Sequence, residues 1–476
     1  MRVLATVLFC VFALSPLPIG TNRPWAWLMM SGLCFLMVAA WLVMYLKGNA
    51  QVPRSLYSGL VRMAGGFFFG GLIWVFLQSC SFPSAWVEAL PVPTATFYSK
   101  AAFAVSPQER PEAIPLSVDS SVTRELALRS AAYFSLYLLL LLVCNTRSRL
   151  RTLCYVIVVS GVFQAVYGSF MTLSGIEYLI GMKKTAYLGN ATGTFVNRNH
   201  FAGYLEMALA IGMGLLMVDR NNRKAEAGRL WRSRLRSALE LLLSGKAVLR
   251  LMLIIMVTGL ILSHSRMGNA AFFNSLLVTG LIAIASSRSF RKPRVYFLLM
   301  SIVAVDVLLL GSWFGLEKVV NRIEQTALVS ESRDEIVQYI LPMIADFSWM
   351  GSGAGTFISV FPGYLNGNFG GYDHAHNDYL EILSDSGMIG FACLAVVVLI
   401  GLWQAVKAIR YRRSSFVRGM GFAGFMGTLS ILIHSSVDFN LQIPANAMLF
   451  IAMLAIPTIA LSVDHHRAEY RSETEN

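Results

Sequence analysis

The chain has 476 residues, of which 56% are hydrophobic and 14% are charged, and its mean hydropathy is +0.59. A soluble domain usually has about 25% charged residues, so this composition excludes a soluble enzyme, a secreted disulfide scaffold and a disordered chain. The net charge of +13 is, in a membrane protein, typical of basic cytoplasmic loops and not of nucleic-acid binding. The six cysteines show no metal-ligand spacing and no disulfide pattern.

Apolar runs long enough to cross a bilayer recur along the whole chain. A transmembrane helix needs roughly 20 apolar residues, and this length predicts an all-α polytopic membrane protein with about 12 transmembrane helices. The predicted spans are 3–20, 25–46, 58–78, 128–144, 152–173, 201–218, 250–265, 268–287, 295–315, 387–406, 417–435 and 444–463.

Basic residues concentrate in alternate loops. Short loops such as 288–294 and 407–418 are rich in Lys and Arg, and such loops stay in the cytoplasm. This bias predicts that both termini are cytoplasmic. The first 20 residues also resemble a signal peptide, but Ser15-Pro16-Leu17-Pro18 is a poor cleavage site, so we interpret them as a helix.

Two long external segments divide the chain into five parts. The first segment, residues 79–127, contains six prolines, which predict an extended loop with little regular structure. In the second, residues 317–347 have apolar residues at helical spacing and predict short amphipathic helices, whereas 351–371 is predicted to be irregular. The five parts are N-terminal transmembrane helices (1–78), a Pro-rich loop (79–127), central transmembrane helices (128–315), a large loop with a His motif (316–386), and C-terminal transmembrane helices with a cytoplasmic tail (387–476).

Ionisable side chains cluster toward the external face. Ionisable residues near membrane depth are costly and often mark functional sites. The histidines of this set are His200, His264, His374, His376 and His434, and the arginines are Arg198, Arg266 and Arg333.

The first motif is a polar turn that leads into an apolar span. It reads Gly193-Thr194-Phe195-Val196-Asn197-Arg198-Asn199-His200. Free N–H groups at a helix N-terminus favour an anion, and the planar guanidinium of Arg198 suits phosphate oxygens. The alternative is a helix cap with an interfacial arginine.

A second motif, Ser263-His264-Ser265-Arg266, forms a tight turn between two short spans. Irregular backbone reaches membrane depth where it lines a cavity, so Arg266 could face a buried anion there. The alternative is an arginine that only marks the membrane interface.

The third motif is a His-x-His sequence followed by acidic residues, from Tyr372 to Glu381. It indicates a metal site, a general base or a solvated helix start. A helix is predicted from Asn377 onward, with His376, Leu380 and Leu383 on one face. A fourth group, with His434 and Asp438, is interpreted as support for the site or as a simple turn. Glu206 and Asp306 are isolated acids within spans, interpreted as hydrogen-bond partners inside the bundle.

Together these motifs resemble the O-antigen ligase and O-antigen polymerase superfamily. The resemblance includes Gly193-Thr194-Phe195, the Ser265-Arg266 turn and Gly351-x-Gly353-x-Gly355. The ligase pattern of that superfamily has His, then Asn, Ser or Gln, nine residues, Gly, two residues, and Gly, Thr or Tyr. His376-Asn377, followed by Gly387 and Gly390, matches it completely.

The resemblance implies a GT-C type glycosyltransferase in the bacterial inner membrane, with its active site on the periplasmic side. The donor would be a glycan on a polyprenyl diphosphate such as undecaprenyl diphosphate, and no metal or other cofactor would be needed. His376 would be the base, and Arg198, Arg266 and Arg333 would bind the diphosphate. We expect supporting roles for Asn197, Asn199, His200, Ser265, His374, Asn377, His434 and Asp438.

The acceptor distinguishes the activities within this superfamily. A ligase would use lipid A core, an O-antigen or exopolysaccharide polymerase another lipid-linked chain, and a protein O-glycosyltransferase a Ser or Thr hydroxyl. Outside the superfamily, a flippase or transporter would explain the twelve spans and the central basic loop. It would also require repeats and ionisable groups near the midplane, neither of which the sequence shows. A purely structural assembly subunit would leave the Arg and His residues unexplained.

Overall fold

The computed structural model describes residues 1–90, 93–105, 111–218, 245–286, 300–301, 304, 336–365 and 372–474, and these residues form an almost entirely helical protein. The helices are α1 (Arg2–Leu14), α2 (Pro24–Leu46), α3 (Gly59–Ser79), α4 (Ser84–Glu88), α5 (Thr94–Val105), α6 (Ser120–Val143), α7 (Arg147–Leu173), α8 (Arg198–Leu216), α9 (Gly245–Leu262), α10 (Arg266–Ser286), α11 (Ile336–Asp346), α12 (Phe357–Val360), α13 (Asp378–Tyr411), α14 (Ser415–His434) and α15 (Pro444–Thr474). Short 3₁₀ turns lie at Ile19–Thr21, Arg54–Tyr57, Phe361–Tyr364 and Asn440–Gln442.

Nine helices of the described residues are long and apolar enough to cross a membrane. They are α2, α3, α6, α7, α9, α10, α13, α14 and the 444–463 part of α15, and each corresponds to a predicted span. The protein is therefore an all-α, multi-pass membrane protein.

The other three predicted spans differ from these nine. The prediction for 3–20 was wrong in length, because α1 has 13 residues and reaches about 20 Å, short of the roughly 30 Å hydrocarbon core. Span 201–218 does form a helix, α8, but every residue from 200 to 216 is buried by other parts of the protein. Span 295–315 falls almost entirely outside the described residues.

Burial separates central from peripheral helices. Of the apolar window in α15, 83% is buried inside the protein, against 17% in α3, so α15 belongs to the centre and α3 faces lipid. The central helices α8, α14 and α15 pack closely through small residues. A Cβ added at Gly427 of α14 would lie 2.5 Å from the sulfur of Met453 on α15.

The Pro-rich segment is more regular than predicted. The expectation of an extended loop with little regular structure was wrong, because the described part contains α4, α5 and two short antiparallel strands, β1 (Ser81–Pro83) and β2 (Ala113–Pro115). The segment ends at Asp119 and not at 127 as predicted, because the Asp119 side chain caps α6, which begins at Ser120. A second pair of strands, β3 (Tyr178–Leu179) and β4 (Met182–Lys183), forms a small hairpin after α7.

Gly387 breaks α13 into a short first segment and a long span. Its φ of +65° interrupts the helix, and a Cβ there would collide with the carbonyl oxygen of Trp349 and lie 2.5 Å from the nitrogen of Gly351. Only glycine adopts this conformation without strain, which explains the glycine at this position of the ligase pattern.

Replacing Gly387 with alanine is therefore expected to destabilise the protein by about 1–3 kcal/mol. Gly66 in α3 is the matched control, because nothing lies within 4 Å of an added Cβ there and alanine is the better helix former. Thermal unfolding in detergent measures both variants. Equal melting temperatures for Gly387→Ala and Gly66→Ala would contradict this account of the kink.

Candidate active site

The polar residues of the predicted site lie at one end of the helical bundle. The first segment of α13 contacts the residues that follow α14, where the Asp378 N–H donates to the Ser435 carbonyl at 3.0 Å. The first turns of α8 and α10 are also in contact, because a Cβ at Gly268 would lie 2.6 Å from the Cβ of Ala202. The helix ends that carry the predicted site residues therefore meet.

Arg198 occupies the first position of α8. The Asn197 side chain caps this helix by accepting from the Asn199 N–H at 2.8 Å. The Arg198 guanidinium donates to the Asn190 side-chain oxygen at 3.0 Å, and the same oxygen lies 3.1 Å from Nδ1 of His264. The Asn190 amide thus links Arg198 of the first motif to His264 of the second motif.

The second motif forms the turn before α10. Ser265 Oγ accepts from the Gly268 N–H at 3.3 Å, and the Ser265 N–H donates to Ser263 Oγ at 3.1 Å. His264 has a φ of +52°, which makes the turn sharp. Arg266 is the first residue of α10 and is exposed. It lies two residues before Gly268, where α10 contacts Ala202 of α8.

Asp438 is the carboxylate at the centre of the site. Its Oδ1 lies 3.9 Å from His376 Nδ1 and 3.7 Å from His200 Nε2, it accepts from the Phe439 N–H at 2.8 Å, and its Oδ2 accepts from the Asn199 amide. Burial by itself raises the pKa of Asp438, but the two imidazoles outweigh burial and hold that pKa well below its usual range. Asp438 is therefore a fixed anion between two histidines.

Phe439 is the platform for three imidazoles. The His374 ring stacks on it with centroids 4.1 Å apart, and the rings of His200 and His376 meet it edge-on at 4.6 and 5.0 Å. Aromatic packing of this kind favours particular ring orientations. Phe439 and Asp438 together restrict where the His376 ring can point.

His374 is held by an acidic residue of α13. Its Nδ1 lies 2.7 Å from Glu381 Oε1, and Glu381 Oε2 accepts from the Ala375 N–H at 2.9 Å. Burial lowers the pKa of His374, but the hydrogen bond and charge of Glu381 outweigh it and raise the pKa above its ordinary value. Among the residues that the structure describes, no group of three or more His, Cys, Asp and Glu is arranged to hold a metal ion.

His376 lies just before α13 and not on its face. Its φ is +50°, and the helix begins two residues later, so the prediction that His376 shares a helix face with Leu380 was wrong. Asn377 caps α13 by accepting from the Tyr379 N–H at 3.0 Å, and its amide donates to the Ser436 carbonyl at 2.9 Å. Asn377 therefore ties the His376 turn to the loop that carries Asp438.

The Gly-rich stretch supports the site from the side of α13. Backbone bonds join Ser352 to Ser384 and Gly353 to Asp385, each at 2.9 Å. The Asp385 carboxylate also accepts from the Gly355 N–H at 2.8 Å. Residues 351–356 follow the irregular path predicted for 351–371 and hold the kinked part of α13. The prediction was wrong for 357–364, which form α12 and the 3₁₀ turn Phe361–Tyr364, and residues 366–371 lie outside the described part of the chain.

The structure brings most of the predicted site residues to one place. His200, His374, His376 and Asp438 form one cluster around Phe439, and Arg198 is separated from His200 by a single residue that binds Asp438. His434 lies deeper, bonded to Glu206, which confirms the interpretation of Glu206 as a hydrogen-bond partner inside the bundle. Arg333 and Asp306 fall outside the described residues.

Sequence reasoning missed Asn190, Glu381 as the partner of His374, and Phe439. Glu381 carried a usable signal, because an acidic residue in the first turn of a helix can reach back to the preceding turn. Nothing in the sequence distinguished Asn190 or Phe439 from other amides and aromatic residues.

The fold and the one-ended polar site define a multi-pass membrane protein with a candidate active site at the helix ends. Residues 251–395 match the family model described as O-Antigen ligase, which confirms the resemblance to the O-antigen ligase and polymerase superfamily, a group of membrane glycosyltransferases. The matched residues include Ser265-Arg266, the Gly351–Gly355 stretch and His376-Asn377 with its two glycines. No curated protein matches the chain.

Proposed function

We propose that this protein transfers a glycan from a polyprenyl-diphosphate donor to a hydroxyl acceptor, in the manner of an O-antigen ligase. The reaction takes place at the periplasmic face of the bacterial inner membrane, and both termini lie in the cytoplasm. The observation that carries the proposal is the placement of His376 beside Asp438, next to the helix start that carries Arg198.

His376 is the proposed base. Its side chain is 28% exposed, whereas that of Asp438 is 1% exposed, so the imidazole can reach an acceptor while the carboxylate stays inside. With Nδ1 turned toward Asp438, Nε2 is the nitrogen that meets the acceptor hydroxyl. This arrangement follows the logic of a base oriented by a third group.

The proposed step is a direct displacement. His376 takes the proton of the acceptor hydroxyl, and the acceptor oxygen forms a bond to the anomeric carbon. The bond between that carbon and the diphosphate oxygen breaks, and polyprenyl diphosphate leaves. One displacement inverts the configuration at the anomeric carbon.

Arg198 and Arg266 are the proposed ligands of the diphosphate, and Arg333 remains a predicted third ligand. Negative charge grows on the leaving group, and preorganised cations stabilise it more strongly in a water-poor site than in bulk water. Asn190 supports this role by holding the Arg198 guanidinium in a fixed place. Because the cations come from arginine, we expect the reaction to proceed without a metal ion.

The test is transfer by the purified protein in lipid nanodiscs, with chelator present. One arm offers a polyprenyl-diphosphate-linked glycan with lipid A core, and the other offers the donor alone. The expected product is glycan on lipid A core. Longer lipid-linked chains from the donor alone would instead identify a polymerase, and no transfer in either arm would contradict the proposed function.

A further inference from the structure

A buried polar pair lies inside the bundle beneath the candidate active site. Glu206 of α8 and His434 of α14 are both completely buried. Oε1 of Glu206 lies 2.6 Å from His434 Nδ1, and Oε2 accepts from Ser430 Oγ at 2.5 Å. Both carboxylate oxygens are thus bound by α14.

A buried pair of this kind is seldom the most stabilising choice for its position. A buried ion pair gives up the solvation of both groups, and apolar residues of the same size often stabilise a protein equally well or better. The surroundings of Glu206 on α8 are apolar, from Leu205 to Ala210. A role in aligning the helices therefore accounts for the pair better than a contribution to stability does.

The pair joins the elements that carry the reacting groups. Glu206 lies about two helical turns after Arg198 on α8, and His434 is the last residue of α14, four positions before Asp438. α10 packs against the same carboxylate, because a Cβ at Gly268 would lie 3.3 Å from Glu206 Oε1. Arg266 is two residues before Gly268.

We infer that Glu206 and His434 are positioning residues that hold the arginine-bearing starts of α8 and α10 in register with Asp438 and the base His376. This inference rests on the proposed function. A hydrogen-bonded pair has one favoured geometry, whereas apolar side chains slide past one another. Because a displacement of about 1 Å between reacting groups can cost about 100-fold in rate, such a pair sets the rate without touching substrate.

The test compares Glu206→Gln with Tyr204→Phe in nanodiscs. Tyr204 lies on the same helix and donates a buried hydrogen bond to Ser160 at 3.0 Å, so its variant loses a comparable contact away from the site. Labelled donor measures the number of binding sites and the Kd, and initial rates measure kcat per binding site. Counting sites removes any effect of a smaller folded fraction.

For Glu206→Gln we expect kcat per binding site to fall at least tenfold, with the donor Kd changed less than threefold. For Tyr204→Phe we expect both to match the wild type, even if the melting temperature falls. A wild-type kcat per site in Glu206→Gln would overturn the inference, as would an equal loss in Tyr204→Phe. If Glu206→Gln does not fold, the double variant Glu206→Leu with His434→Leu buries no charge and the same criteria apply.

The activity of the wild type separates the positioning role of Glu206 from the proposed function. A wild-type protein that transfers no glycan in either acceptor arm contradicts the proposed function. An active wild type together with a fully active Glu206→Gln contradicts only the positioning role.

Discussion

Replacing His376 with glutamine is expected to lower the rate of glycan transfer by about 10²–10⁴-fold, the usual contribution of a positioned general base. Glutamine keeps a polar side chain of similar size but cannot accept the hydroxyl proton. The variant should bind donor with nearly unchanged Kd, because the proposed diphosphate ligands Arg198 and Arg266 lie on other helices. Initial rates and donor binding in nanodiscs measure both quantities.

His374→Gln is the comparison that identifies the base. His374 belongs to the same loop and stacks on the same Phe439 ring, but its Nδ1 is engaged by Glu381. We expect its loss to slow transfer less than tenfold. A larger loss in His374→Gln than in His376→Gln would move the role of base to His374.

The pH dependence of transfer adds to this comparison. The pKa of Asp438 is held well below its usual range by the imidazoles beside it, so its carboxylate stays ionised as the medium is acidified. A loss of activity on mild acidification should therefore follow protonation of an imidazole and not of Asp438.

The membrane fold was largely predictable because length and apolar composition are what a bilayer selects. The error at 3–20 has a physical reason, because this run includes Pro16 and Pro18 and its helix ends at Leu14. The predicted run at 201–218 does form a helix, α8, which neighbouring helices bury. Burial by protein and burial in lipid select the same residue types, so composition alone does not separate a central helix from a lipid-facing one.

The site was predictable as a set of residue types but not as an arrangement. Ionisable residues near membrane depth stand out because they are costly there, so His376, Arg198 and Asp438 were identified. Their partners come from distant parts of the chain, and an amide such as Asn190 or a ring such as Phe439 carries no charge that would mark it. The left-handed backbone of His376 was equally hidden, because only a few per cent of non-glycine residues adopt that conformation, even though histidine is enriched among them.

The second large effect is expected from substitution of the two arginines proposed to bind the diphosphate, Arg198 and Arg266. Arg198→Lys and Arg266→Lys each keep the positive charge but lose the planar fork that binds phosphate oxygens in pairs. Hydrogen bonds to charged groups contribute about 1.5–3 kcal/mol, and a loss of 1.5 kcal/mol is about tenfold in binding. We therefore expect each variant to lower kcat/KM for the lipid-linked donor about tenfold or more. Arg198→Lys also removes the guanidinium that donates to the Asn190 side chain.

Arg149→Lys is the matched control for these substitutions. Arg149 donates to the Val143 carbonyl at 3.1 Å and lies near the start of α7. Arg149 is far from the site. The site end of α7 is at Gly168, which packs against Gly193 and lies about 28 Å further along the helix. Replacing Arg149 with lysine should leave kcat/KM unchanged within a factor of two. If Arg198→Lys and Arg266→Lys behave like Arg149→Lys, these arginines act only as interfacial charges, and the diphosphate must be bound by other groups.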